Sequence, residues 1–530
     1  MYQFSGKLKM LAFALMIIGA LGTAYSFLSA PKTIEDAKAI LAEQAHHGGG
    51  HGEAHASDDA HAVTSHTEEV KHEEVKTIEV KHEENVDSIT HSEAADHKEE
   101  VIHENVTEEH KEEAHIAEQV VEKHVAETAH AEVAQHGEAH GEDHGDHHAE
   151  HALHQMQNRP WSAFYVAMLF FLGVTLLVLA FYAAQRVAHA GWSVALFRVM
   201  EAITNNLHYV SVIMLLFLIA TFMHMNHLFP WMADGVFDPQ SSNYDAIIDG
   251  KKWWMNTPSW LIRGVIYLLG WNIFRFIIRK KSMEQDNGDL KLHKNIYNIC
   301  VGFILFFMFT ESMASWDWIM GIDPHWFSTL FGWYVLATFL VSALTIIAFI
   351  TIYLRSKGAL PLVNDSHIHD LAKFMFGFSI FWTYLWFAQF MLIWYADMPE
   401  ETTYFALRFN EYKLPFLAMV VMNFIFPVLL LINSDFKSVP WFVTIGGLVI
   451  LAGHYIDLFV MVMPGTVGAQ YGFGIGELSG FLFFLGLFIY ATFSAFAKAN
   501  PIAKGNPFLH ESETHHYYNI EHRGEENSHH

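Results

Sequence analysis

Ten stretches of this chain are apolar over roughly 20 residues each and are separated by shorter polar breaks, the length a helix needs to cross about 30 Å of hydrocarbon. They fall at approximately 8–28, 161–184, 205–224, 256–278, 294–314, 327–354, 371–396, 412–432, 440–462 and 474–498. The pattern predicts an all-α integral membrane protein with about ten transmembrane helices. The run 327–354 is long enough to tilt. One long interval breaks the rhythm. The chain therefore divides into an N-terminal span (1–30), a polar linker (31–158), a nine-helix membrane body (159–500) and a polar tail (501–530).

Loop charge gives these runs a direction. With the N-terminus in the cytoplasm, the inner segments hold 17 Lys and Arg and the outer loops and adjoining helix ends hold 5. That is the bias of the positive-inside rule, and it places both termini in the cytoplasm. Lys7 and Lys9 ahead of the first run also fit a cleaved leader. Pro31 directly after Ala30 disfavours cleavage, so a retained helix is expected.

The averages of 52% hydrophobic and 17% charged residues hide two unlike parts. Residues 29–160 contain 32 Asp and Glu, 9 Lys and Arg, and 22 of the 37 His, so they carry −23 of the chain's −26. No basic surface remains to replace phosphate counterions, which argues against nucleic acid as a partner. The single cysteine, Cys300, excludes a disulfide scaffold, a Cys-ligated iron–sulfur cluster and a C-x-x-C-H haem attachment. The linker is repetitive, with KHEE at 71–74 and 81–84 and HGEAH at 51–55 and 136–140. It has little to bury and is expected to be disordered or partly helical, outside the cytoplasm. An acidic spacer is the plainer reading. Weak binding of Zn²⁺, Cu²⁺ or Ni²⁺ is the functional alternative, without the ligand regularity of a dedicated site.

Ionisable groups inside spans cost about 2.5–3.5 kcal/mol each on insertion scales, so those that persist are candidates for a pathway. Glu311, Asp317, Asp323 and His325 cluster at the end of the fifth run and the loop after it; Asp397 ends the seventh, and Glu477 starts the tenth. His454 and Asp457 in the ninth run are three apart and share a helix face. They could relay a proton or, with Tyr455, Trp316 and Gln389, grip a quinol. Thr383, Tyr384 and Asn423 could extend a hydrogen-bonded chain. On the inner side, Arg198, Glu201, Thr204, Asn205, Asn206 and His208 lead into the third run, and 193–203 reads as an amphipathic helix lying in the interface. Outer acids outnumber inner ones, which suits a site open to the outside with a poorer polar route from the cytoplasm. Trp316, Trp318, Trp326, Trp333, Trp394 and Tyr395 fit an interfacial aromatic belt, a flat quinone pocket being the alternative. His208 and His454 are the only histidines well inside spans, which gives poor support for a b-haem.

The segments ESMASWDWIMGIDPHWFSTLFGWY (311–334) and FAQFMLIWYADMPEETTYF (387–405) resemble the NrfD-like, or polysulfide-reductase-type, membrane subunits. Within that group the likeness is greatest to the ActF-type second membrane subunit of bacterial alternative complex III. It covers about 10–30 and 160–500 and leaves out the His-rich linker. It implies two four-helix bundles with two flanking helices, in a quinol:electron-acceptor oxidoreductase of the bacterial inner membrane. Menaquinone or ubiquinone would be the quinone. Electrons would travel on partners: a paralogous NrfD-like subunit, an iron–sulfur protein, multihaem and monohaem cytochromes c, and a haem–copper oxidase beyond them. In such complexes the better-supported quinol pocket lies in the paralogous subunit, and this type carries a structural or proton-conducting role. Asp317, Asp323 and His325 fall on the shared motif. Two competing readings remain: a metal-ion transporter, which would need several convergent ligands at the midplane, and a purely structural anchor of the redox complex.

Overall fold

Each of the ten apolar runs is a helix in the computed structural model, which describes residues 2–47, 143–288 and 290–517. The spans are α1 (Gly6–Ser29), α2 (Ala152–Val187), α3 (Asn206–Phe222), α4 (Thr257–Glu284), α5 (Leu290–Trp318), α6 (Phe331–Ser356), α7 (Asp365–Ala396), α8 (Lys413–Leu431), α9 (Pro440–Val467) and α10 (Ile475–Ala497). The protein is an all-α integral membrane protein, with no strand among the described residues. Several helices outrun their apolar stretches, because polar end residues find partners outside the hydrocarbon. Thus α5 continues past 314 to carry Asp317 inside the helix. The helix of α2 starts as far back as Asp143 and runs through Pro160. There Leu153 and Met156 pack on Ala37, Ile40 and Leu41 of the short helix Ile34–His47. Most of the His-rich linker, including 98–134, lies outside the described residues.

Helices α2–α5 form one four-helix bundle and α6–α9 a second. Neighbours pack α3 on α4, α4 on α5, α6 on α7 and α9, and α8 on α9. In the first bundle, the Tyr165 hydroxyl of α2 donates to the Trp318 carbonyl at 2.8 Å. The two bundles meet where α5 touches α6 and where Phe339 of α6 lies over Gly173 of α2.

The flank is α1 against α10, and small residues set their spacing, as is usual where lipid removes the hydrophobic drive between helices. A Cβ added at Gly19 would fall 2.4 Å from the Phe483 backbone nitrogen, and one at Gly486 would fall 2.6 Å from the Ala12 carbonyl oxygen. Backbone cannot yield there as a side chain would. Thr23 and Ser479 share a hydroxyl hydrogen bond of 3.3 Å across the same seam. In a Cys300→Ser background, Thr23→Cys and Ser479→Cys should crosslink under mild oxidation. Adding Gly19→Leu should abolish that crosslink while the body stays folded; its persistence would show that the contact is not steric.

The tail after α10 folds back over one end of both bundles. Gly505 sits so close to the Gln285 carbonyl after α4 that a Cβ there would overlap it. Ser512 accepts from the Ala195 amide at 3.0 Å and donates to the Trp192 carbonyl at 2.8 Å. Farther on, Asn364 donates to the His515 carbonyl at 2.8 Å, while His515 Nε2 and the Tyr517 hydroxyl each lie 2.8 Å from Asp370 of α7.

Candidate functional site

The end of the first bundle that carries the C-terminus of α5 holds a cavity of about 270 Å³, close to the lower end of small-molecule sites, about 300–1,000 Å³. Its walls are unusually aromatic: Trp231, Trp253, Trp254, Trp260, Trp316 and Trp326 all line it. One polar pair faces it. Asp317 accepts from Arg263 Nη2 at 2.6 Å and Nε at 2.8 Å, and from the Tyr267 hydroxyl at 3.0 Å. Its carboxylate is 4% exposed, so this is a buried, bidentate ion pair. Arg263 also stacks on Trp254, 4.2 Å from the ring centre. Lys251 closes the rim and donates to the Pro324 carbonyl at 2.7 Å. Burial pulls its ammonium below the ordinary lysine value, opposed by the carboxylates of Asp245 and Asp323.

The aromatic belt expected from the sequence is thereby divided. Trp333, Trp394 and Tyr395 are 48%, 62% and 84% exposed on the outside, as belt residues are. Trp316 and Trp326 line the cavity, Trp326 stacked on Tyr404 at 3.9 Å, and Trp318 is buried beside Tyr267 and Trp271.

A second polar centre lies deep in the other bundle. Asp457 of α9 is fully buried and is addressed by three donors. The Tyr334 hydroxyl donates to Oδ1, and Thr338 Oγ1 at 2.8 Å and Trp382 Nε1 at 2.9 Å reach Oδ2. His454 is one turn away with Nδ1 3.7 Å from Asp457 Oδ2, and neither ring nitrogen has a hydrogen-bond partner. Trp382 stands edge-on to that imidazole at 5.4 Å. Asn423 comes close because α8 opens into a π turn over Val421–Ile425. Pro427 has no N–H to return to the Asn423 carbonyl, which is a physical reason for the wider turn. Asn423 Oδ1 lies where a Cβ on Gly453 would be, at 2.1 Å, so glycine alone admits it. The free space beside Asp457 and Gln389 is about 10 Å³, too small for a quinone ring. Tyr455 points away, onto Phe170 and Phe481.

Glu311 stands between the bundles. It is 5% exposed, and neither carboxyl oxygen is hydrogen-bonded. Beside it is a space of about 40 Å³ walled by residues of α2, α5 and α6, enough for a water molecule. By the helix rise it lies about 10 Å from the C-terminal end of α5.

The remaining sequence candidates separate. His325, in the loop after α5, bonds Asp245 at 2.5 Å. Asp323 caps the short turn before it. Asp397 is the left-handed, exposed C-cap of α7. Glu477 is a cap, taking the Gly474 amide at 2.8 Å and Arg159 Nε at 2.8 Å. His208 stacks on its neighbour Tyr209 and touches none of the deep acids.

Sequence reading misjudged the segment before α3. Phe197–Ile203 is buried in the protein along its whole length and presents no solvated face. Glu201 receives Arg198 at 2.7 Å, the Tyr182 hydroxyl at 2.8 Å, Arg279 and Ser282. Arg186 joins them through Tyr182 and Ser282. The only local hint was the three-residue spacing of Arg198 and Glu201; the other partners come from α2 and α4, far along the chain. A dense polar cluster therefore does exist where α2, α4 and the segment before α3 meet.

No protein-family model and no curated protein matches this chain. Among the described residues no three His, Cys, Asp or Glu converge as a metal site, so nothing there favours the transporter reading.

Proposed function

We propose that this chain is a membrane subunit of a quinol:electron-acceptor oxidoreductase of the alternative complex III type, in a bacterial inner membrane. The supporting observation is that its deep acids turn inward. Glu311, Asp317, Asp457 and Glu477 are at most 7% exposed, and Asp317 stands on the wall of a cavity sized for a ring. A carboxylate well inside a span, as those of Glu311 and Asp457 are, costs about 2.5–3.5 kcal/mol on insertion scales and requires a use or a partner. Asp317 and Glu477 have partners, Arg263 and Arg159. Glu311 has none, and Asp457 lies beside an unbonded imidazole.

In this reading the Trp-lined cavity receives the quinol head from the bilayer, with the Arg263–Asp317 pair as its polar contact. Oxidation releases two protons and two electrons per quinol. Asp457, His454 and Glu311 hold and pass protons inside the bundles. The single thiol, Cys300, is buried and alone, so the electrons travel on iron–sulfur and c-haem centres of partner subunits. The plus-rich ends face the cytoplasm and the His-rich linker faces the periplasm.

The test is purification from the native membrane without crosslinking. A multihaem cytochrome and an iron–sulfur subunit are expected to co-migrate with the chain. Migration of the chain by itself, in a detergent that preserves other respiratory complexes, would sink the proposal.

A further inference from the structure

A groove of about 860 Å³ opens where the start of α1, the end of α6 and the turn after α10 come together. It carries a charge pattern that the redox reading leaves unused. Lys7, in the first turn of α1, and Lys357, the C-cap of α6, both line it. Both are exposed, and among the described residues no acidic side chain lines the groove. The Ser5 hydroxyl adds a neutral donor. The wall then becomes apolar along α1, through Leu8 and Leu11, the latter 48% exposed on the lipid side. On the other wall Tyr2 lies near Tyr353, and burial raises the Tyr2 phenol above its ordinary value, so that it stays a neutral hydroxyl.

Two cations from separate helices, facing one space without a carboxylate, select an anion. Their position at the ends of two spans puts that anion at headgroup level. A free phosphate would fill a small part of the volume and would make no use of the apolar wall. We infer that this groove holds an anionic phospholipid, with its phosphodiester between Lys7 and Lys357 and one acyl chain along Leu8 and Leu11. Basic pockets between helices on the cytoplasmic side recognise lipid headgroups by the same physics, each Lys contributing independently near the surface. The site also joins the start of α1, which packs along α10 and through Phe27 on Trp161 of α2, to the end of the second bundle. The inference does not depend on the proposed redox role.

The test uses the full chain in nanodiscs of equal phosphatidylglycerol and phosphatidylcholine, released into a native mass spectrometer. Wild type is expected to retain phosphatidylglycerol preferentially. Lys7→Gln with Lys357→Gln should lower that retention on the order of tenfold, from the loss of two near-surface cations. Lys7→Arg with Lys357→Arg should keep it. Unchanged retention in the glutamine pair would overturn the assignment. So would displacement of the lipid by inorganic phosphate, which would mark a site for a soluble anion.

Discussion

Replacing Arg263 by leucine should destabilise the protein by about 3–5 kcal/mol, the usual result of stripping one partner from a buried ion pair. The change removes two charge-assisted bonds from Asp317, at 2.6 and 2.8 Å, and leaves the carboxylate one hydroxyl at 3.0 Å. Lysine should rescue little, because a point ammonium cannot span both oxygens as the guanidinium fork does. Asparagine at Asp317 should rescue much more, since a neutral amide can be left unpaired at lower cost. Thermal unfolding followed by tryptophan fluorescence reads the effect directly, as several indoles surround the pair. A single variant within about 1 kcal/mol of wild type would place it with solvent-exposed bridges, for which such small values are normal. The double change Arg263→Leu, Asp317→Asn would then show no coupling.

The second large effect belongs to Asp457. Asp457→Asn keeps the shape and one acceptor oxygen but cannot carry a proton, and it turns an NH₂ toward donors. Quinol-driven proton movement by the purified complex in liposomes is expected to fall several-fold, with assembly largely intact. An unaltered ratio of protons to electrons would remove Asp457 from the path. Asp457→Leu should behave differently. It strands the buried donors of Tyr334, Thr338 and Trp382, at about 1–3 kcal/mol for each unmet group. Lower yield of folded protein is its expected signature, so comparing the two variants separates proton carriage from structural support.

The span count was legible because one length, the hydrocarbon thickness, governs all ten runs. Their ends were less legible. Asp317 looks like a loop residue until Arg263 and Tyr267 on α4 are seen to satisfy it inside the helix. Depth likewise picked out Asp457 and His454 as polar groups in oil. It could not reveal that Trp382, Thr338 and Tyr334 surround Asp457 tightly enough to leave a quinone ring no room. The tryptophans carried an ambiguous signal, since a belt and a cavity wall draw on the same residue type and the same depth. Phe197–Ile203 was misread for a related reason. Its charges resemble a solvated face, yet their partners lie at Tyr182, Arg279 and Ser282, distances along the chain that periodicity does not sense.

The returning C-terminal segment limits how this protein can move. By fastening to Gln285 and Trp192 on one bundle and to Asp370 on the other, it works as a strap across one end of both. Such a strap opposes separation of the two halves at that end, and cutting it should loosen the frame before it alters a single group in the interior.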